Sequence, residues 1–168
     1  MIFYAGIGSR QTPPEVLSLM TQIAQGLANF GYTLRSGGAD GADTAFERGA
    51  GDAAEIYLPW TYFNGRREGV FVHATPEAEA LARRIHPSWG RLSLGARKLH
   101  IRNCYQVLGA DLKTPSAFVV CWTPNGSGSG GTGQAIRLAR EKGIPVYDIG
   151  SQDFSHVKLM QAALAATI

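Results

Sequence analysis

The feature that most constrains this chain is a glycine-rich stretch, Pro124-Asn125-Gly126-Ser127-Gly128-Ser129-Gly130-Gly131-Thr132-Gly133, set between an apolar run and a helical pattern. Ala117-Phe118-Val119-Val120-Cys121-Trp122 before it reads as a buried strand, and Ile136, Leu138 and Ala139 after it fall at helical spacing. A strand that ends in glycines and turns into a helix brings backbone close to whatever lies above the turn. If the strand belongs to a parallel sheet, the new helix aims unpaired N–H groups and the positive end of its dipole at that place. An anion, phosphate above all, suits it.

The pattern recurs. Ile2 to Ala5 reads as a first strand, followed by the turn Gly6-Ile7-Gly8-Ser9-Arg10. Thr12-Pro13-Pro14-Glu15 then predicts a helix start, with Thr12 as N-cap and Glu15 completing a capping box. Val16, Leu17, Met20, Ile23, Ala24 and Leu27 continue as an apolar stripe that Gly31 ends. Tyr32 to Arg35 is a second strand, and Ser36-Gly37-Gly38-Ala39-Asp40-Gly41-Ala42-Asp43 a second glycine turn, with Asp40 or Asp43 as the expected cap of the next helix. Ala54 to Leu58 forms a third strand. Short strands alternating with helices predict an α/β chain, a Rossmann-like three-layer arrangement with a mostly parallel sheet of at least five strands.

Trp60, Tyr62, Phe63, Asn64 and Arg66 crowd a segment whose only apolar run is Val70-Phe71-Val72. Stacking on a base, a plug over the core and a dimer contact all remain open for these aromatics. Thr75-Pro76-Glu77 starts a helix that Pro87 ends, and Ser93 to Gly109 spans another. On that helix Leu94, Ile101, Cys104, Tyr105 and Leu108 share a core-facing arc, into which Arg97 also falls; Lys98 and Arg102 lie along its border. A charge on that side needs a partner or a polar cavity. After the third glycine turn, Ile144 to Ile149 is a fifth strand, with Pro145 suggesting an edge, and Phe154 to Ala166 a last helix.

At 168 residues, with 45% hydrophobic and 17% charged residues, the chain is expected to form one domain, residues 1–168, without metal or disulfide support. Cys104 and Cys121 lack metal-ligand spacing and are assigned to the core. No apolar run approaches a membrane span, and the start shows no secretory signal, so a cytoplasmic protein without membrane contact is expected, in a bacterium or a virus of one. The net charge of +3 conceals a basic middle, with nine Lys or Arg against four acids from Arg66 to Lys113.

In a parallel sheet all three glycine turns emerge at the carboxyl edge and line one crevice. Neither GxGxxG nor GxxxxGK[ST] occurs, which sets aside the usual dinucleotide dehydrogenase and P-loop readings. The motifs resemble those of the superfamily that includes the Rossmann-type domain of DprA, the LOG phosphoribohydrolases and the SLOG nucleotide sensors. Gly6 to Arg10 resembles their GSR or GSS turn, Ser36 to Asp43 is similar to the SGGARGID signature of DprA, His100-Ile101-Arg102-Asn103 resembles HxRK, and Gly130 to Gly133 resembles PGGxGT. The resemblance implies a nucleotide-derived small molecule in the crevice and a homodimer.

The candidate ligand-binding residues are Gly6, Gly8, Ser9, Arg10, Ser36, Gly37, Gly38, Ala39, Asp40, Asp43, Arg97, Lys98, Arg102, Gly130, Gly131, Thr132 and Gly133, with no metal and no cofactor expected. Where LOG enzymes carry the threonine and glutamate of PGGxGTxxE, this chain has Gln134 and Arg137. Cleaving an N-glycosidic bond needs a carboxylate, which Arg137 cannot supply. The expectation is therefore a binder of a nucleotide or NAD-derived signal, as sensor or sequestering protein. A phosphoribohydrolase using Asp40, Asp43 or Glu47 is one alternative, and DprA-like binding of single-stranded DNA the other.

Overall fold

A computed structural model describes residues 1–69 and 73–168, so the apolar run at 70–72 lies outside the described residues. Five strands, β1 (Ile2–Ile7), β2 (Tyr32–Ser36), β3 (Ala54–Ile56), β4 (Val119–Cys121) and β5 (Val146–Asp148), form one sheet in the order β3-β2-β1-β4-β5. Every pairing is parallel, with Gly6 opposite Val120 across the β1–β4 pair and Tyr4 opposite Leu34 across β1–β2. The expected α/β Rossmann-like arrangement is what forms, and β5, which starts just after Pro145, is an edge strand.

Alternation along the strands sorts side chains into two cores. Ala5 and Ile7 of β1 and Val119 and Cys121 of β4 face α3 (Pro76–Ile85), α4 (Leu94–Leu108) and α5 (Gly130–Glu141). Tyr4 and Val120, one residue out of step, face α1 (Pro14–Asn29), α2 (Ala42–Ala50) and α6 (His156–Ala165). Both cysteines are free and fully buried, and burial pushes the Cys104 thiol up to about 11. Among the described residues no helix is long and apolar enough to cross a membrane.

Several boundaries differ from the sequence reading. Pro13 rather than Thr12 caps α1, and Thr12 instead donates its hydroxyl to the Ser9 carbonyl at 2.6 Å, tying the first glycine turn shut. The glycines at 130–133 form the first turn of α5 rather than a loop. Gly6 sits inside β1, where a Cβ would meet the Phe46 ring at 2.7 Å, so close packing of α2 on the strand excludes a side chain there. Leu94, expected on the core-facing arc, is the first residue of α4 and is 69% exposed.

Candidate functional site

The sheet order changes direction between β1 and β4, and a crevice opens above the carboxyl ends of these strands, as expected at such a switch point. Its cavity is about 510 Å³, within the range of small-molecule sites. The turn after β1 supplies Gly8, Ser9 and Arg10; the second glycine turn and α2 supply Ala39 and Asp43; α4 supplies Arg102; the start of α5 supplies Gly130, Gly131 and Thr132. The topology therefore brings residues of all three glycine turns to one cavity.

Other expected residues stand behind the lining or away from it. Ser36, at the end of β2, donates to Glu47 at 2.8 Å, and Glu47 in turn pairs with Arg66 at 2.6 Å. Gly37 lies against Arg102; a Cβ there would come within 2.3 Å of its guanidinium. Gly38 gives its carbonyl to Asn64, whose amide also donates to Asp40 at 2.9 Å. Gly133 packs on the Gly128 carbonyl, 2.1 Å from where its Cβ would stand. Arg97 spreads over the Trp89 ring, 5.6 Å from its centroid, and Lys98 is exposed; neither lines the cavity.

Arg102 is the unusual charge. It is 8% exposed, one Nη donates to the Gly37 carbonyl, and Nε donates to Asn103 Oδ1 at 3.2 Å. Phe63 lies under its guanidinium at 5.9 Å, so the aromatic segment after β3 serves partly as a brace for it. Tyr62, next to Phe63, is 65% exposed. Among the described residues no carboxylate comes within ion-pair distance of Arg102, although Asp43 is near enough to act on it through its charge. Burial raises the Asp43 carboxyl to about 6 against the opposing pull of Arg102 and of the hydrogen bond from the Ala39 N–H.

On the opposite wall, α5 starts without a side-chain cap, as α1 and α2 also do, whereas Thr75, Ser93 and Ser155 cap α3, α4 and α6. The loop leading into α5 is anchored below. Thr123 Oγ1 accepts from the Gly128 N–H at 2.9 Å and donates to Asp148, whose other oxygen accepts from the Thr123 N–H at 2.9 Å and the Gly150 N–H at 3.0 Å. Asn103 ties the walls together by donating to the Gly131 carbonyl at 3.3 Å.

Sequence reasoning missed His100, Asn103, Gln106, Trp122 and Thr123, all of which line the cavity. His100 and Asn103 flank Arg102 in the quoted motif, which was the available signal. Burial, then the neighbouring His86 ring at 4.5 Å, pulls His100 down to about 4, so it is a neutral imidazole in the crevice. Among the described residues no group of three or more His, Cys, Asp or Glu is placed to hold a metal ion.

No protein-family model matches the sequence, and no curated protein matches it either. Solved structures do. DNA processing protein A from Helicobacter pylori, whose structure was described for its single-stranded DNA binding mode, superposes with a TM-score of 0.61 at 14% identity, over 98% of this chain and 81% of that one. DNA processing protein A from Streptococcus pneumoniae superposes with a TM-score of 0.55 at 18% identity, over 96% of this chain but only 56% of that one. The chain thus has a DprA-like Rossmann-like fold.

Proposed function

We propose that the crevice binds a nucleotide or NAD-derived small molecule through its phosphate, and that the protein works as a sensor or sequestering protein for that ligand. The observation that carries this reading is Arg102, a buried guanidinium with no carboxylate within ion-pair distance among the described residues, on the wall of a cavity whose other side is the uncapped start of α5. A phosphate between them gains charge-assisted hydrogen bonds from one wall and backbone N–H groups from the other. Arg10, at the mouth, raises the positive potential further; its charge already acts on Arg102.

The catalytic alternative has one candidate left in the cavity. Asp40 bonds to Asn64 and Glu47 to Ser36 and Arg66, while Asp43 faces the crevice with its carboxyl at about 6. A second reading follows from the superposition on the H. pylori protein: a nucleotide unit of single-stranded DNA occupies the crevice, with the remaining strand passing the exposed Tyr62 and Arg10.

Native mass spectrometry of the purified protein, then thermal shift with mononucleotides, NAD, ADP-ribose and cyclic nucleotides, tests the proposal, because a ligand of the folded state must stabilise it. An intact, stabilising nucleotide whose effect disappears in Arg102→Met is the expected result. Release of free base would replace the sensor by a hydrolase. The same spectrum reports whether the chain is the homodimer its resemblance implies. No response to any of these compounds, with retention of an oligonucleotide, would replace the small molecule by DNA.

A further inference from the structure

Gln106 lies on α4 one turn beyond Arg102, lines the same cavity, and is 0% exposed. Neither its amide oxygen nor its amide nitrogen has a hydrogen-bond partner among the described residues. Its backbone carbonyl, by comparison, accepts from Ser116 Oγ at 2.9 Å. A buried primary amide without partners is costly, and a leucine of similar volume would be the cheaper occupant if packing were its only role. The position suits a group that supplies an acceptor beside a donor in one plane.

Resting on the nucleotide reading of this crevice, we propose that Gln106 is the residue that recognises the base. The edge of a nucleobase carries an adjacent donor and acceptor, which a primary amide matches with two parallel hydrogen bonds. With phosphate at Arg102 and the start of α5, the base lies one turn further along α4, and the Gln106 amide, covered in this structure, turns out to meet its edge. An amide can turn over to meet either order of donor and acceptor, so Gln106 makes the site demand a base rather than a bare sugar phosphate.

The source of that nucleotide is either a free mononucleotide or the end of a single strand. Isothermal titration with the four ribonucleoside monophosphates, ribose 5-phosphate, inorganic phosphate and a 5′-phosphorylated oligothymidylate separates them, using wild type, Gln106→Leu and Gln106→Glu. At least one monophosphate is expected to bind wild type more tightly than ribose 5-phosphate. Gln106→Leu should reduce that advantage by about fivefold to a hundredfold, leave ribose 5-phosphate binding unchanged, and melt no lower than wild type without ligand. Gln106→Glu, which offers two acceptors when ionised, should change which base is preferred.

Equal binding of monophosphate and ribose 5-phosphate by wild type, or an undiminished preference in Gln106→Leu, would overturn the assignment and leave the phosphate site standing. Loss of ribose 5-phosphate binding in Gln106→Leu, or a ligand-free melting point well below wild type, would also overturn it, by making Gln106 structural. Wild type that binds none of the phosphates would remove the nucleotide reading itself. Preference for the oligonucleotide over every monophosphate, lost in Gln106→Leu, would support the base contact and assign it to a strand end.

Discussion

At the scale of single residues, the crevice is held by groups whose burial is offset only in part. Asp43 is 3% exposed and adjoins Arg102, yet its carboxyl rises to about 6 because lost hydration outweighs the attraction of the guanidinium. The unfolded chain ionises this group near 3.8, so the folded state holds the extra proton between the two values. Its contribution to stability is full below 3.8 and is lost as pH rises through about 6. Asp43→Asn, which keeps an acceptor for the Ala39 N–H, should therefore be more stable than wild type at pH 7, by about 3 kcal/mol at most, and lose that gain by pH 4. Urea unfolding at the two pH values measures this, and an equal difference at both would refute the buried-carboxylate account. Arg102 was legible in the sequence as a basic residue beside a core-facing arc and inside a quoted motif. Gln106 was not, since an uncharged polar residue in a helix carries no signal of burial until the helix is packed.

At the scale of elements, strand, glycine turn and helix were readable three times over, while the use made of the glycines was not. Gly6 is small because Phe46 of α2 packs where a side chain would be, and Gly133 because the Gly128 carbonyl of its own turn does, neither of which the spacing of glycines announces. The start of α5 was misplaced for a related reason. Gly130 has a φ of +71°, a backbone state that favours glycine, and the loop that precedes it is fixed by the distant Asp148. That anchor makes Thr123 the hinge pin of the third turn. Thr123→Val removes the acceptor for the Gly128 N–H and the hydroxyl that Asp148 receives, at a cost of about 1–3 kcal/mol. It should also weaken phosphate binding severalfold, because Pro124 and Ser129 line the crevice on either side of the loosened segment. Thermal unfolding together with a nucleotide titration checks both effects; lowered stability with unchanged affinity would separate the third turn from the ligand.

For the whole molecule, the parallel sheet converts three local signals into one place. Strand order itself is a long-range choice, and residues 57–118, carrying α3 and α4 between β3 and β4, gave no indication that β4 would pair with β1. Once it does, the turn after β1 and the start of α5 face each other, with α4 closing the side that bears Arg102 and Gln106. A nucleotide and a single strand that both use this crevice, the cavity that residues of all three glycine turns line, must exclude each other. An oligothymidylate bound at low salt should be displaced by the preferred nucleotide, and Arg102→Met should weaken both. Binding of the strand should fall steeply with added salt, through counterion release, whereas one buried phosphate contact predicts a shallow dependence for the nucleotide. Fluorescence anisotropy of a labelled oligonucleotide, titrated with nucleotide at two salt concentrations, distinguishes the cases. Displacement with parallel losses in the variant places both ligands at the carboxyl edge of the sheet. Simultaneous binding would require a second surface for DNA, and the basic stretch from Arg66 to Lys113 would then be where to search for it.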